Sequence, residues 1–233
     1  MRLNKYLAAM GIGSRREIDK MVDEKKIMVN GIIANHGLKI DNNDEIKING
    51  KKIKNLQEKK VYYILNKPIN VLSSVKDDRG RKTVVDLIEC NEKIFPIGRL
   101  DYDTTGLLLL TNDGELFNKV VHPRAEIYKE YILVMAGGLE KNGLFLLENG
   151  IKLEDGLTLP AKIKILDYKD NKSTISISIR EGRNRQIRRM CRAINCKVLS
   201  LKRIKIGELS IENLNEGEYR ELTDDEIKYL YSM

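Results

Sequence analysis

The hydrophobic pattern of the first 50 residues predicts a small, self-contained module. Apolar residues recur at helical spacing at Leu3, Tyr6, Leu7 and Met10. Ser14 and Glu17 then form an S-x-x-E capping box, which predicts the start of a second helix with Ile18, Met21 and Val22 on its buried face. Two apolar runs flank the turn Asn30-Gly31, the pattern of a tight β-hairpin. We therefore predict a domain over residues 1–50 made of two helices followed by a hairpin.

From Val61 onward, short β-rich runs mix with short helices in no regular order. The predicted strands are residues 71–75, 128–135, 163–166, 174–179 and 198–201. The predicted helices are residues 115–121 and 139–149, and a last one that starts at a second capping box, Thr223 and Glu226. Strands without a strict strand–helix alternation favour an α+β domain around a mixed or antiparallel sheet. We predict this domain over residues 61–233, and we interpret the charged residues 51–60 as a linker.

Positive charge is concentrated in two places. The net charge is +8, and residues 1–60 hold 14 Lys and Arg against 8 Asp and Glu. The segment from Arg180 to Lys205 carries ten basic residues and one acid, Glu181. Two separate basic surfaces indicate a polyanionic partner that is bound at both. We interpret the scattered lysines of residues 51–60 as a solvated surface instead.

Several classes of protein fit this composition poorly. Cys90, Cys191 and Cys196 lack the spacing of a zinc site, so we expect reduced, buried thiols and no metal. No window of about 18 apolar residues occurs, and the N-terminus lacks a signal-peptide core. We expect a cytoplasmic protein that does not bind a membrane.

The basic segment from Glu181 to Cys196 predicts a helix with two different faces. At about 100° per residue, Ile187, Met190, Cys191 and Ile194 share one side. The arginines at positions 185, 188, 189 and 192 fall on the other side. Arg188 lies nearest the boundary between the faces, so we expect it to be partly buried. A partly buried guanidinium requires an anionic partner.

The sequence GRLDYDTTG, from Gly98 to Gly106, predicts a polar loop between two apolar runs. Together with Leu107 and Leu108 it closely resembles the active-site motif of the RNA pseudouridine synthases. The words KEY at Lys129–Tyr131 and EGRNRQIRRM at Glu181–Met190 are similar to two further motifs of that family. The resemblance extends over nearly the whole chain. It implies the pseudouridine synthase catalytic fold for residues 61–233.

The same resemblance implies three catalytic residues. Asp101 takes the position of the family's nucleophilic aspartate, and Tyr131 that of the tyrosine that stacks on the target base. Arg188 takes the position of the arginine that pairs with the catalytic aspartate and keeps it ionised. The remaining basic residues near these motifs are then candidates for contacts to RNA: Arg99, Arg183, Arg185, Arg189 and Arg192. For Arg99 a second role is insertion into the space that the base leaves.

The N-terminal module, with the words RLNKYLA, SRREIDKMV and VNG, resembles the S4 RNA-binding domain. In that family the second helix and its surroundings lie against the RNA backbone. The resemblance therefore implies phosphate contacts at Arg15, Arg16, Lys20, Lys25 and Lys26.

The implied reaction isomerises uridine to pseudouridine in ribosomal RNA. It moves the ribose from N1 to C5 of uracil without redox change, so we expect no cofactor. The sequence leaves open whether Asp101 attacks C1′ or removes a proton from C2′. The wording DDRGRKTVVDL favours the branch that acts on large-subunit 23S rRNA, with 16S rRNA as the alternative. We expect ribosomal RNA or a pre-ribosomal particle as partner and a monomeric protein.

Two other functions compete with this interpretation. One is a non-catalytic rRNA-binding or ribosome-assembly protein, which intact Asp101, Tyr131 and Arg188 argue against. The other is a glycoside hydrolase with Asp101 and Asp103 as its carboxylate pair. We disfavour it because residues two apart in an extended loop point in different directions, and no apolar site to raise one pKa is evident.

Overall fold

The computed structural model describes residues 1–41, 43–53, 59–122 and 126–233. The chain divides into two compact units. The smaller unit holds residues 1–61 with the short segments 90–93 and 112–114, and the larger unit holds residues 62–89, 94–111 and 115–233. Within the described residues, no helix has the length and apolar character needed to cross a lipid bilayer.

The smaller unit consists of two helices followed by a four-stranded sheet. Its elements are α1 (Leu3–Ala9), α2 (Arg15–Asp23), β1 (Ile27–Val29), β2 (Ile32–Ile33), β3 (Ile46–Ile48) and β4 (Lys51–Lys52). The strands pair in the order β2-β1-β3-β4. The apolar side chains Leu3, Leu7, Ile18, Val22 and Ile27 are buried together in its core.

The capping box and the hairpin turn of this unit both form as predicted. The Glu17 backbone N–H donates to Ser14 Oγ at 3.2 Å, and the Glu17 carboxylate accepts from the Ser14 backbone N–H at 2.7 Å. The hairpin turn places Asn30 at φ 51° and Gly31 at φ 82°, backbone angles that Asn and Gly adopt at low cost. The capping box and the turn therefore fix the start of α2 and the register of β1 against β2.

The interpretation of residues 51–60 as a linker is wrong at its N-terminal end. Lys51 and Lys52 form β4 and pair with Ile48 and Lys47, and Ile53 packs against the core of the smaller unit. These lysines look like linker because an exposed edge strand tolerates charge. Residues 54–58 of the predicted linker lie outside the described residues.

The larger unit is built on a nine-stranded sheet. Its strands are β5 (Tyr62–Lys67), β6 (Phe95–Ile97), β7 (Thr105–Thr111), β8 (Lys129–Ala136), β11 (Lys162–Lys169), β12 (Lys172–Ile179), β13 (Val198–Ile206), β14 (Leu209–Ser210) and β15 (Tyr219–Glu221). A separate small hairpin is formed by β9 (Lys152–Leu153) and β10 (Gly156–Leu157). The helices are α3 (Gly114–Val121), α4 (Lys141–Asn149), α5 (Gln186–Ala193) and α6 (Asp224–Ser232), and Val85–Leu87 forms one 3-10 turn.

The sheet is mixed, as predicted. The main order is β11-β12-β8-β13-β7-β5-β15, with β14 beside β13 and β6 beside β7. Strand β13 runs parallel to β7 and antiparallel to β8. Side chains of α3 and α6, including Leu116, Val120 and Leu230, are buried against Ile64 and Leu107 of the sheet.

One predicted strand is absent from the sheet. In residues 71–75 only Leu72 forms a bridge, to Thr83. The segment instead uses Ser73 to hold the neighbouring loop, since Ser73 Oγ donates to Leu100 O at 2.9 Å. This side-chain contact takes the place of the strand pairing that the β-rich composition predicts.

Candidate active site

A cavity of about 870 Å³ opens in the larger unit between the sheet, the loop that follows β6, and α5. Lys129 and Tyr131 of β8 line one wall; they are two residues apart and therefore share a face of the strand. Tyr131 lies opposite Arg203 of β13 in the antiparallel register, so the Arg203 side chain is on the same face. Asp101 and Arg188 line the same cavity.

Hydrogen bonds to the loop backbone hold the residues directly before and after Asp101. The Leu100 backbone N–H donates to Ser73 Oγ at 3.1 Å, and Ser73 Oγ–H donates back to Leu100 O at 2.9 Å. The Asn70 backbone N–H donates to Tyr102 O at 2.9 Å. The buried side chain of Leu100 anchors the loop from below. Asp101 therefore projects from a fixed backbone into the cavity, with its side chain 24% exposed.

Helix α5 is shorter than predicted. It begins at Gln186 rather than at residue 181, because Arg185 adopts a left-handed backbone conformation with φ 48°. The Gln186 side chain accepts from the Arg183 backbone N–H at 3.1 Å, which stabilises this sharp entry. The predicted buried face is present, with Ile187, Met190 and Cys191 in the core.

Arg188 is partly buried, as the helical geometry predicts, with its side chain 15% exposed. The predicted pairing of Arg188 with Asp101 is wrong. Arg188 Nη2 donates to Asp103 O at 2.7 Å and to Thr104 Oγ1 at 3.3 Å, and it lies 3.4 Å from the Asp103 carboxylate. Among the described residues, Arg188 forms no ion pair with Asp101. The Arg188 guanidinium binds the loop just after Asp101 instead, at Asp103 and Thr104, and so holds that part of the loop in place.

The guanidinium nearest to Asp101 belongs to Arg185. Arg185 binds the Asp103 carboxylate through two hydrogen bonds of 3.0 and 2.9 Å, and its Nη1 lies 3.8 Å from Asp101 Oδ2. The hydrogen bonds from Arg185 hold the pKa of the Asp103 carboxyl below its usual range. The two carboxylates thus converge on one cation, contrary to the expectation that they point apart. Asp103 nevertheless lacks the raised pKa that the acid of a glycoside hydrolase needs.

A buried lysine lies close to this loop. Lys67 of β5 is fully buried, and its Nζ donates to Pro68 O at 2.8 Å. Burial lowers the pKa of Lys67 to about 8, and the nearby carboxylates of Glu216, Asp101 and Asp103 oppose that shift. Lys67 therefore adds positive potential beneath the two aspartates.

Tyr131 is 8% exposed and forms part of the cavity wall. Its ring stands on the sheet face between the neighbouring strands, opposite Ile177 of β12 and Arg203 of β13. Within the described part of the chain, no group forms a hydrogen bond with its hydroxyl. The ring offers a flat apolar surface with a free polar tip to whatever enters the cavity.

Comparison with known proteins decides between the functional interpretations. Residues 61–193 match the family model described as RNA pseudouridylate synthase, and residues 1–46 match the S4 domain. The chain belongs to the RNA pseudouridylate synthase family. It is therefore an enzyme, an isomerase of uridine in RNA, and it carries an RNA-binding S4 domain. The predicted resemblance and the α+β fold are both confirmed.

Full-length relatives support this membership. The ribosomal large subunit pseudouridine synthase B of Bacillus subtilis (strain 168) is 46% identical over 100% of this chain and 96% of its own length. The dual-specificity RNA pseudouridine synthase RluF of Escherichia coli (strain K12) is 35% identical over 100% of this chain and 79% of its own length. A solved pseudouridylate synthase superposes with a TM-score of 0.72, at 34% identity and 99% coverage of both chains.

Within this pseudouridylate synthase, several predicted RNA-binding arginines are occupied by protein partners. Arg183 Nε donates to the Glu181 carboxylate at 3.0 Å, and its Nη2 donates to Leu157 O at 2.6 Å. Arg189 donates to Asn184 O at 2.9 Å and to the Asp155 carboxylate at 2.8 Å. These contacts tie the entry of α5 to the β9–β10 hairpin. We therefore assign Arg183 and Arg189 a mainly structural role rather than the contacts to RNA phosphates that the sequence suggested.

Other predicted RNA-binding residues present exposed cations. Arg99 and Arg192 are exposed and form no ion pair among the described residues. The same holds for Arg15, Arg16 and Lys25 of the smaller unit. Lys20 and Lys26 both flank Glu24, at 3.9 and 2.5 Å. A contact to a phosphate at these last two positions has to compete with Glu24.

Four residues at or beside the site were not predicted as site residues: Lys67, Ser73, Lys129 and Arg203. Ser73 lies in a segment predicted as a strand, and nothing local indicates its contact with Leu100. Arg203 follows the predicted strand of residues 198–201, which in fact continues to Ile206. Lys129 was recognisable, because it stands two residues before Tyr131 in a strand and so shares its face.

Proposed function

We propose that this enzyme isomerises uridine to pseudouridine in large-subunit ribosomal RNA, with Asp101 as the group that acts on the sugar. The observation that carries the proposal is the position of Asp101: a partly exposed carboxylate on a braced loop, inside a cavity that Tyr131 also lines. The name of the Bacillus subtilis relative supports the large subunit as the source of the RNA.

Asp101 serves as an anionic oxygen next to C1′ and C2′ of the target ribose. Arg185, at 3.8 Å, balances its charge without the tight bidentate bond that it makes to Asp103. The carboxylate therefore keeps lone pairs available for the substrate. Arg188 acts through the backbone of Asp103 and holds the loop in place, rather than pairing with Asp101 itself.

Tyr131 receives the extruded base. Swinging a base out of folded RNA costs a few kcal/mol, and stacking on an aromatic ring offsets about 1–3 kcal/mol. The hydroxyl of Tyr131 has no hydrogen-bond partner among the described groups, so it is available to carry the proton that leaves C5. Arg99, exposed at the cavity, is a candidate to fill the space that the base vacates.

The S4 domain adds contacts to the RNA backbone, through Arg15, Arg16 and Lys25 foremost, and the exposed Arg192 of α5 adds another. Such contacts increase affinity and position the protein without reading sequence. Free rRNA and a pre-ribosomal particle both present the required phosphates. We propose that the enzyme works as a monomer in the cytoplasm, where ribosomal subunits are assembled.

Asp101→Asn tests the proposal, with Asp103→Asn as the matched control. We expect Asp101→Asn to abolish tritium release from rRNA labelled at C5 of uridine, because the amide lacks the anionic oxygen. Filter binding of the same RNA should stay near the wild-type value. Asp103→Asn should retain activity at about a tenth, since it weakens the hold on Arg185 but leaves the Asp101 carboxylate in place.

Two outcomes would overturn the proposal. Wild-type turnover by Asp101→Asn would remove this carboxylate from the chemistry. Equal and complete loss in both variants would make the loop, rather than the Asp101 oxygen, the essential feature.

A further inference from the structure

Two cations at the sheet wall of the cavity have no carboxylate partner in the described residues. Lys129 Nζ donates to Ile127 O at 3.3 Å, and Arg203 Nε donates to Leu107 O at 2.7 Å. Arg203 is 4% exposed, and its buried Nη2 has no hydrogen-bond partner in the described structure. Burying charge without an anion is costly, so such a pair points to a negative group that arrives with the substrate.

The carboxylates around the cavity do not supply this negative charge. Glu126 pairs with Arg180 at 3.0 Å, and Glu181 pairs with Arg183 at 3.0 Å. Asp101 lies beside Arg185 instead. Lys129 and Arg203 are near enough to each other that burial and the Arg203 charge together lower the pKa of Lys129 to about 8. At neutral pH Lys129 therefore remains mostly protonated.

The pair flanks Tyr131. Lys129 shares its face of β8, and Arg203 lies directly opposite it on β13. If Tyr131 stacks on the target base, which is the premise taken from the proposed function, the two cations lie at the edge of that base. A phosphate of the RNA backbone, by contrast, would lie on the ribose side of the nucleotide.

The reaction itself creates an anion at this place. When the N1–C1′ bond breaks, its electron pair stays on uracil, and the charge spreads over N1, O2 and O4. C5 of the turned base then forms the bond to C1′, the hydrogen on C5 leaves as a proton, and N1 takes up a proton. The base is therefore anionic between the two bonds, whichever way Asp101 acts on the sugar.

We propose that Lys129, with Arg203 behind it, stabilises the detached uracil anion. Both side chains line the cavity. Lys129 is the catalytic residue of the two because it is the more exposed, and Arg203, at 4% exposure, is a buried supporting charge. Fixed cations of this kind in a site of low dielectric act without reorganising when the charge forms.

The test compares a poor and a good leaving base. Lys129→Met removes the charge and keeps an unbranched side chain, and Lys129→Arg keeps the charge. The substrates are rRNA fragments with uridine or 6-azauridine at the target position, because 6-azauracil carries a negative charge more readily. Lys202→Met is the matched control, since Lys202 is a neighbour on β13 that does not line the cavity.

We expect Lys129→Met to lower the single-turnover rate on uridine about 100-fold and the rate on 6-azauridine much less. Lys129→Arg should recover part of the loss, and Lys202→Met should behave as wild type. Equal losses on the two substrates would overturn the proposal in favour of a structural role. A loss confined to RNA affinity, with an unchanged rate at saturation, would assign Lys129 to a phosphate. Failure of the proposed function is visible separately, as absence of wild-type turnover.

Discussion

The hydroxyl of Ser73 is the most informative group to remove from the site, although it does not line the cavity. It accepts from the Leu100 backbone N–H at 3.1 Å and donates to Leu100 O at 2.9 Å, directly before Asp101. Leu100 is 6% exposed, so both backbone groups lose their partner out of reach of bulk water in Ser73→Ala. At about 1 kcal/mol net for each hydrogen bond, the braced loop conformation loses about 2 kcal/mol.

This loss should appear in the chemical step. If the full amount is lost from the aligned loop, the rate falls about 30-fold, because about 1.4 kcal/mol corresponds to a factor of ten. The assay is single-turnover tritium release at saturating enzyme, together with filter binding, which should be unchanged. Ser73→Thr retains a hydroxyl and should recover much of the rate.

Ser74 provides the control at the next position. Its Oγ is buried and has no hydrogen-bond partner among the described residues. Ser74→Ala removes an unsatisfied hydroxyl, so we expect an unchanged rate and equal or slightly higher stability. A wild-type rate for Ser73→Ala, or an equal loss in both alanine variants, would show that the Ser73 hydrogen bonds do not align the loop.

Three further predictions concern the fold and the RNA surface. Gly106→Ala should destabilise the enzyme by about 3 kcal/mol or more in urea denaturation, because the added Cβ would lie 2.1 Å from the backbone oxygen of Arg203 in β13. Gly80→Ala is the control: Gly80 has φ +71° and open space around it, so this variant should lose only about 1 kcal/mol of stability. Arg192→Ala should weaken RNA binding and reduce its salt dependence, whereas Arg189→Ala should lower the melting temperature and leave the salt slope unchanged; the reverse pattern contradicts the assignment. Burial lowers the pKa of Lys67 from 10.5 to about 8, so on raising the pH the native state releases this proton before the unfolded chain does. The free energy of unfolding, relative to that of Lys67→Met, should therefore rise by about 3 kcal/mol between pH 8 and 10.5. A difference that does not change with pH in urea titrations would show that the ammonium is not desolvated.

Sequence motifs predicted the structure correctly where the interacting residues are close together in the chain. The capping boxes at Ser14 and Thr223 form with both reciprocal hydrogen bonds, and the Asn30-Gly31 turn forms as predicted. Helical periodicity also identified the buried face of α5 and the partial burial of Arg188. In the capping boxes and the turn the interacting groups lie within a few residues, and in α5 the helical repeat alone decides which side chains share a face.

Predictions failed where distant segments decide the structure. Arg185 lies outside the helix, with φ 48°, and its side chain binds Asp103, 82 residues away in the chain. Arg188 binds the backbone of the same residue, which no helical projection shows. The extension of β13 to Ile206 follows from pairing with β8 and places Arg203 beside Tyr131. Periodicity carries no information on such long-range pairings.

The proposed function requires Asp101 to contact the sugar of a nucleotide whose base stacks on Tyr131. The most direct measurement is the structure of Asp101→Asn bound to an unmodified rRNA fragment. We expect the target base to lie against the Tyr131 ring, with C1′ or C2′ about 3.5 Å from the side chain of residue 101. A target nucleotide that lies outside this cavity, or a ribose separated from residue 101 by more than one water molecule, would contradict it.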